Sequence, residues 1–413
     1  MMIKHKSEEG QAIVFLVLGL VVFMGFVALS IDGGMAFADR RHSQNGSDAS
    51  SLAGGGEAAL YLENTHVMYT DWNCGSDDIQ GAMELAAQKA IERAGTNNFN
   101  IDEDPSDGNG VTVVCGTHDY GYIDKFIDVT VNISSTTETS FAQLLFPDAL
   151  VNQVQAVTRV RPRMSMAFGN AVVGLNTADC PGNNGVAFGG SGETYINGGG
   201  IWSNGCLSGN GDAFDAIVDN GNVNYAGGFH GSENFNPDPE QVPYTLPPSS
   251  FEIPMPNCNH PDAHRVNDLP DNLTPGLWCV NAGNNVNLNN GEINGTEVTI
   301  VVVDGNLTIN GGVTVNLSSP LHNPDPSPAV GGLLFYVPNG DITINGGSDQ
   351  HYEGLIYAPH GDCSITGNSA LGTLEMNTQI VCFNVEISGN ATIDITFNAG
   401  QEYQKPTSIE LFR

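Results

Sequence analysis

Positive charge is scarce in this chain. Lysine and arginine total 13 of 413 residues against 46 aspartates and glutamates, a formal net charge of -33. Residues 166–413 carry three fixed cations, Arg265, Lys405 and Arg413, against 25 acidic residues. Such a surface repels nucleic acid and anionic lipid, so nucleic acid is not an expected partner. It suits a soluble, low-adhesion exterior, or one that holds divalent cations such as calcium. A CxxC pair is also missing, although eight cysteines are present. That argues against a zinc ribbon or a dithiol redox site. An even number of cysteines along a Gly-rich chain suits disulfides in an oxidising compartment. Neighbour pairing is the simplest arrangement: Cys74–Cys115, Cys180–Cys206, Cys258–Cys279 and Cys363–Cys382.

Glycine is abundant instead, at 51 residues, and with asparagine it punctuates a repeat. "DGNLTINGG" at 304–312 returns as "NGDITINGG" at 339–347, and more weakly as "HGDCSITGN" at 360–368 and "CFNVEISGN" at 382–390. Aligned on Ile309, Ile344, Ile365 and Ile387, the residues two earlier are Leu307, Ile342, Cys363 and Val385. Between them stand Thr308, Thr343, Ser364 and Glu386. Apolar and polar residues alternate with period two, as in a strand with one buried face. Gly and Asn then tolerate the positive φ of a turn. Fainter copies place Ile196, Leu207, Tyr225 and Leu288 in the apolar slot. The steps from 288 to 309, 344 to 365 and 365 to 387 are 21, 21 and 22 residues. Short strands and Gly/Asn turns at that period predict a parallel, right-handed β-helix, whose coils bury their apolar rows only by stacking. In this register Asp341 and Asp362 point outward on adjacent coils.

The N-terminal stretch "AIVFLVLGLVVFMGFVALSI", residues 12–31, is apolar except for Ser30. As a helix it spans about 30 Å, the thickness of a bilayer core. Lys4, His5 and Lys6 precede it and favour a cytoplasmic N-terminus. A cleaved signal peptide competes with the retained anchor, with "AFA" at 36–38 as its cleavage site. The run is longer than an ordinary signal core, and Glu8 and Glu9 break the basic lead. The anchor is the preferred reading.

Beyond it, 35–62 continues as a helix, with Ala36, Ala49, Leu52, Ala53, Ala58 and Leu60 as its small apolar face. A second helix is expected over 78–95. Strands follow at 111–115 and 126–134, a short apolar helix at 140–146, and a last strand at 154–163. Four regions result: a cytoplasmic tail and transmembrane anchor at 1–34, an α/β extracytoplasmic stalk at 35–165, a β-helix at 166–400, and a C-terminal tail at 401–413. A Pro-rich insertion interrupts the β-helix at 231–278 and holds 10 of the 21 prolines.

Gly10-Gln11-Ala12 opens the apolar run and Asp32-Gly33 closes it, and Arg40-Arg41, Gln44-Asn45, Asp48-Ala49 and Leu52-Ala53 follow. In that combination the N-terminal segment resembles the TadE/TadG-like proteins of Tad (Flp) pilus systems. The family's pilin-like members carry a Glu inside the apolar run; this chain has none there, so it resembles the uncleaved, TadG-like branch. The order of helix and strands after the anchor resembles the extracytoplasmic part of the same proteins. The resemblance implies a structural accessory of a pilus or envelope assembly, with other Tad components as partners and an adhesive role.

Chemistry-bearing clusters are few. "CNHPDAH" offers Cys258, His260, Asp262 and His264 as a metal candidate, against the plainer reading of a disulfide cysteine on a His-bearing loop. "DEDPSDGNG" at 102–110 resembles a calcium loop, but its Gly is misplaced and Val113 stands where the closing Glu belongs. An anchored carbohydrate-binding or carbohydrate-cleaving β-helix is the alternative function, with surface glycans as ligands. Hydrolysis needs converging carboxylates, and Asp341 and Asp362 have no third acid in a matching slot. The chain is read as a non-enzyme.

Overall fold

The computed structural model describes residues 11–120, 122–139, 141, 149–182, 184–211 and 213–412. By internal contacts the chain divides into two units. The first takes residues 1–117, 125–162 and 407–413; the second takes 118–124 and 163–406. In sequence, the second unit is therefore an insertion before the last strand of the first.

The first unit holds helix α1 (Gln11–Asn64) and helix α2 (Asp77–Thr96). It also has strands β1 (Gly110–Asp119), β2 (Ile123–Thr137), β3 (Leu150–Arg161) and β4 (Ser408–Phe412). Ser76 caps α2, its Oγ accepting from the Ile79 N–H at 3.4 Å, and Asp77 and Asp78 sit in the first turn, where the helix dipole favours negative charge. The buried side of α2 is Ile79, Ala82, Ala86, Ala90 and Ala94, a narrow stripe that lets α1 come close. The sheet order is β1-β2-β3-β4, with β2–β3 and β3–β4 antiparallel. Every second residue of β2 (Ile127, Val129, Val131, Ile133) is fully buried. The helix expected over 140–146 lies, but for Phe141, outside the described residues, as do Lys4, His5 and Lys6.

Two expectations for this unit need correction. Residues 401–413 are not a tail. Leu411 pairs with Thr158, and Glu410 meets Arg161 at 2.8 Å. The Arg159 guanidinium lies over Phe412 at 4.4 Å and over Phe126 at 3.6 Å. Five residues of mixed polarity give too short a pattern to read as a strand alone; pairing with β3 makes them one. Nor is the packed face of α1 built from Leu52 and Leu60, which are 41% and 56% exposed. It is built from Ser43, Gly46, Ser47, Ser51, Gly54 and Ala58. A Cβ on Gly54 would stand 2.6 Å from the Ala86 carbonyl oxygen, and one on Gly55 2.4 Å from Thr158. Close approach on both sides excludes larger side chains, so the most buried positions are the least hydrophobic.

The second unit is a β-helix-like stack of short parallel strands in three rows. In the second row Leu288, Ile309, Ile344, Ile365 and Ile387 stand in register, and the last four are at most 1% exposed. Leu307, Ile342, Cys363 and Val385 form the neighbouring buried column. Three fainter copies belong elsewhere: Ile196 lies in the third row, Tyr225 in the first, and Leu207 in the Leu307 column. All three rows end in the same Gly/Asn turns, so a short echo does not say which row it closes. At one such turn Gly389 has φ +119°, and a Cβ there would meet the Gly367 carbonyl of the coil beneath at 2.1 Å.

The stacking order is not the chain order. The third row runs 235–236, 215–219, 193–197, 393–396, 374–377, 350–353, 313–318, 291–295, 272–273. The chain enters mid-stack, coils to one end by 241, crosses to the other end, and coils back until 393–396 lies on 193–197. Residues 404–405 then pair antiparallel with 164–165, so entry and exit lie side by side.

The crossing segment, 242–263, corrects the reading of 231–278 as an insertion loop. The flanks of that range are rungs: 235–236, 240–241, 264–266, 272–273 and 276–280. What crosses is a strap over the outer side of the first row. Its path passes the Val242 N–H bonded to the Tyr225 carbonyl, the Leu246 N–H bonded to Asn204 Oδ1 at 2.7 Å, and the disulfide from Cys258 to Cys279. The first row holds ten strands, so nine steps of about 4.8 Å must be covered. The 22 strap residues, at roughly 3.3 Å each, reach that far with slack.

The strap explains why the first-row strands, "VTIVV", "LLFY" and "IVC", do not alternate. Their inner column, including Ile300, Phe335, Ile356 and Ile380, fills the coil interior. Their outer column, including Cys279, Val301, Tyr336, Tyr357, Val381 and Trp202, packs with Val242, Leu246 and Ile253. A strand covered on both sides reads as a continuous apolar run. Proline suits the strap because the row's own ladder uses up its backbone groups; a residue without an N–H leaves no buried donor unpaired.

Candidate functional site

The four residues of the candidate metal cluster do not converge. Cys258 is in a disulfide, so its sulfur is not available as a thiolate ligand. The His264 ring stacks on Trp278 at 4.3 Å, and His260 pairs with Asp262 at 3.7 Å. Among the described residues no group of three or more His, Cys, Asp or Glu could hold a metal. The acidic loop at 102–110 uses its carboxylates on its own backbone: Asp102 accepts from the Asp104 N–H at 2.8 Å, Asp104 from Ser106 at 3.0 Å, and Asp107 from Asn109 at 2.8 Å. The Ser106 bonds hold Asp104 below the usual carboxylate range.

The rung acids Asp341 and Asp362 are exposed members of a ladder at one corner of the coils. The Asn306 N–H donates to Asn285 Oδ1, the Asp341 N–H to Asn306 Oδ1, and the Asp362 N–H to Asp341 Oδ1, at 2.9–3.0 Å. Asn384 Nδ2 then donates to Asp362 at 2.7 Å, and Asn176 Nδ2 to Asn384 at 2.9 Å. A second ladder runs Asn345, Asn310, Asn289 at 3.0 and 2.7 Å. The acids hold coils together through bonds that asparagine makes elsewhere in the same column.

Beside the turns that close the second row lies an open depression of about 480 Å³, lined by Gly190, Ser191, Asn345, Thr366, Gly367, Asn368, Gly389 and Asn390. Small residues make it shallow, and amides and hydroxyls give it hydrogen-bonding groups without fixed charge.

On α1 the large apolar side chains from Ile13 to Ile31 are 41–73% exposed, and this is the one helix among the described residues long and apolar enough to cross a membrane. Ser30 satisfies its hydroxyl within the helix, donating to the Phe26 carbonyl at 2.9 Å. The helix continues without a break into the Ser/Gly face: 54 residues at 1.5 Å each give about 81 Å. At the join, Asp32 is buried and accepts from the Phe141 N–H at 3.0 Å. Two turns further along the packed side, Asp39 accepts from Ser135 Oγ at 2.6 Å, Asn152 Nδ2 at 2.8 Å and Thr137 Oγ1 at 2.9 Å. Partial burial pushes the Asp39 carboxyl up, but these three bonds outweigh it and hold it below its ordinary value.

Residues 10–59 match the family described as "Putative Flp pilus-assembly TadE/G-like". Over those 50 residues the chain is similar to that family. Residues 263–397 match a domain of unknown function, DUF7305. No curated protein and no solved structure matches the chain.

The Tad segment is the apolar helix plus its packed extension, and its polar positions have visible work. Gln44 Nε2 donates to Asp48 Oδ1 at 2.8 Å, Ser47 Oγ to the Val131 carbonyl at 2.7 Å, and Thr158 Oγ1 to Ser51 Oγ at 3.0 Å. Gln44 and Asp48 carried the resemblance in the sequence; Ser47 and Ser51 did not stand out, because an isolated serine carries no signal of burial. The DUF7305 match begins where the strap ends and stops just past the strand that returns to the first coil, so it is the returning half of the stack.

Proposed function

We propose that this protein is a membrane-anchored, non-enzymatic accessory of a Tad/Flp-type pilus or related envelope assembly, with its coils displayed outside the cell. The observation that carries the reading is the Tad segment lying on an apolar helix that runs directly into a tightly packed polar face. A helix continuous through that junction suits an anchor that runs from the bilayer straight into the packed face of the first unit. Residues 12–31 sit in the cytoplasmic membrane, with the N-terminus inside. The four disulfides suit the oxidising side. The coils wind right-handed, the sense that parallel crossovers overwhelmingly take. The partners are other pilus or envelope components. The rung acids support a non-enzymatic role, since their oxygens serve the ladder.

The test is the N-terminal sequence of protein recovered from its native membrane, with protease accessibility from each side. Retention of the whole apolar run, with the coil region cut only from outside, is expected. A mature chain beginning at Asp39 would overturn the anchor, and one beginning at Gln11, which keeps residues 12–31, would overturn the uncleaved, TadG-like reading. The adhesive role is read onto the depression at Asn345, Asn368 and Asn390, whose neutral amides suit a glycan. Glycan-array binding by the exterior region, lost on Asn345→Ala with Asn390→Ala, is expected; binding unchanged by both sinks that assignment.

A further inference from the structure

One group of buried oxygens in the second unit has no side-chain partner. Glu402 is 3% exposed, and only the Gln379 main-chain N–H bears on its carboxyl oxygens. Gln379 and Thr378 are fully buried; Gln379 Oε1 and Thr378 Oγ1 are unpartnered too, as is Gln404 Oε1. Glu402, Gln379 and Gln404 belong to one neighbourhood, and Thr378 directly precedes Gln379 in the chain. Gln379 Nε2 donates to the Met166 carbonyl at 2.8 Å, and Gln404 Nε2 to the adjacent Ser165 Oγ at 3.2 Å. Gln379 Nε2 also donates to the Asn170 carbonyl at 2.6 Å and Gln404 Nε2 to the Ala399 carbonyl, so both amides commit their nitrogens and leave their oxygens over. Glu402 lies two residues before Gln404 and is influenced by the Gln379 main chain and by the charge of Glu353.

Buried polar atoms are nearly always paired, and several left over together call for an explanation, of which a bound ion is one. Among the described residues no charged donor serves them: the nearby Lys405 sends its ammonium to the Glu252 carbonyl instead. Carboxylate, amide and hydroxyl oxygens are the ligand set of a hard cation. We propose that Glu402, Gln379, Gln404 and Thr378 form a buried site for calcium, wedged where the returning chain meets the entry strand. Such a site neutralises a carboxylate whose acid form burial would otherwise favour. A cation there fastens the exit segment 402–405 to residues 164–166, beside the strand pair that closes the insertion.

The full chain in detergent, stripped with EDTA, is titrated with calcium alone. Unfolding of the coil region is followed by circular dichroism, and terbium emission sensitised by the neighbouring Tyr403 reports occupancy. Calcium is expected to raise the midpoint by several degrees and to displace terbium with one site per chain. Glu402→Gln should fold and lose both responses, and Thr378→Val should weaken calcium several-fold. A midpoint indifferent to calcium overturns the site and leaves Glu402 a buried neutral acid. A response retained in Glu402→Gln also overturns it, by placing calcium elsewhere. Should Glu402→Gln not fold, Thr378→Val decides: unchanged affinity refutes the site.

Discussion

The first and second rows of the coil region are built from the same strands-and-turns grammar, yet they face different surroundings. In the second row, Thr308, Thr343, Ser364 and Glu386 look outward between buried Leu/Ile/Val columns and are partly or fully exposed. In the first row the corresponding outward column is Val301, Tyr336, Tyr357 and Val381, none more than 6% exposed. The coil interior is the same for both. What differs is the strap. The contrast teaches that alternation in a repeat reports which face is open, and its absence reports a cover supplied from elsewhere in the chain. Burial by the strap also pushes the Tyr357 phenol well up.

The comparison breaks most visibly with a charge. Ile344→Asp buries an unpaired carboxylate in the second-row core and should cost several kcal/mol, enough to unfold the coils. Thr343→Asp, one residue away, should cost less than about 0.5 kcal/mol, as surface changes do. Val301→Asp is the sharper case. It occupies an outward position like Thr343, but under the strap, and should behave like Ile344→Asp. Chemical unfolding of the three variants checks this; Val301→Asp as mild as Thr343→Asp would mean that the strap does not cover the first row in solution.

The open row was legible in the sequence because exposure leaves a mark at every second residue. Ile309, Ile344, Ile365 and Ile387 could be aligned without any structure. The covered row was not legible as such. "GLLFYV" and "VTIVVV" show burial but not what does the burying, and the strap's hydrophobic contacts, Val242, Leu246 and Ile253, are separated by prolines with no period. Nor does a local repeat reveal that 393–396 returns to 193–197, since nearest-neighbour coils look alike whichever way the chain threads them. The metal candidates failed for a related reason: His260 and His264 are close in sequence, but one lies on a turn and the other on a rung against Trp278. Glu402 and Gln379 are 23 positions apart and gave no motif.

Freeing the strap should come next in size. Its lower end is tied by Cys258–Cys279, which closes a separation of 21 residues. In the chain-entropy model that tie contributes roughly 3 kcal/mol. Replacing both cysteines with serine should lower stability by about that much, and protease should then cut within 242–263 while the second row stays protected from hydrogen exchange. Simultaneous loss of protection in both rows would show that the strap is part of one cooperative unit with the whole stack, rather than a cover on one side. Alkylation of the unreduced, denatured wild type should find near-zero free thiol.

Leu246→Ala trims the strap where its main-chain N–H meets Asn204, and should cost about 2–4 kcal/mol if the strap stays seated. In the Cys258→Ser/Cys279→Ser background the same change should cost clearly less, because a strap already loose has less packing to lose. Such coupling is the mark of residues that share one element.

The smallest effect belongs to the open side. Asn310 donates to Asn289 at 2.7 Å and accepts from Asn345 at 3.0 Å, at a corner with access to water. Asn310→Ala should cost about 0.5–1.5 kcal/mol, the net worth of hydrogen bonds that water can partly replace. The useful number is again a difference. The ladder's partners lie in the turns, and none is in the strap, so the cost of Asn310→Ala should be the same, within about 0.5 kcal/mol, whether the Cys258–Cys279 tie is present or absent. Additivity here, beside non-additivity for Leu246→Ala, would separate a row held by its own corners from a row held by its cover. If Asn310→Ala instead grows or shrinks with the tie, the two rows share their stabilisation through the core, and the division drawn from their outward columns is one of exposure alone.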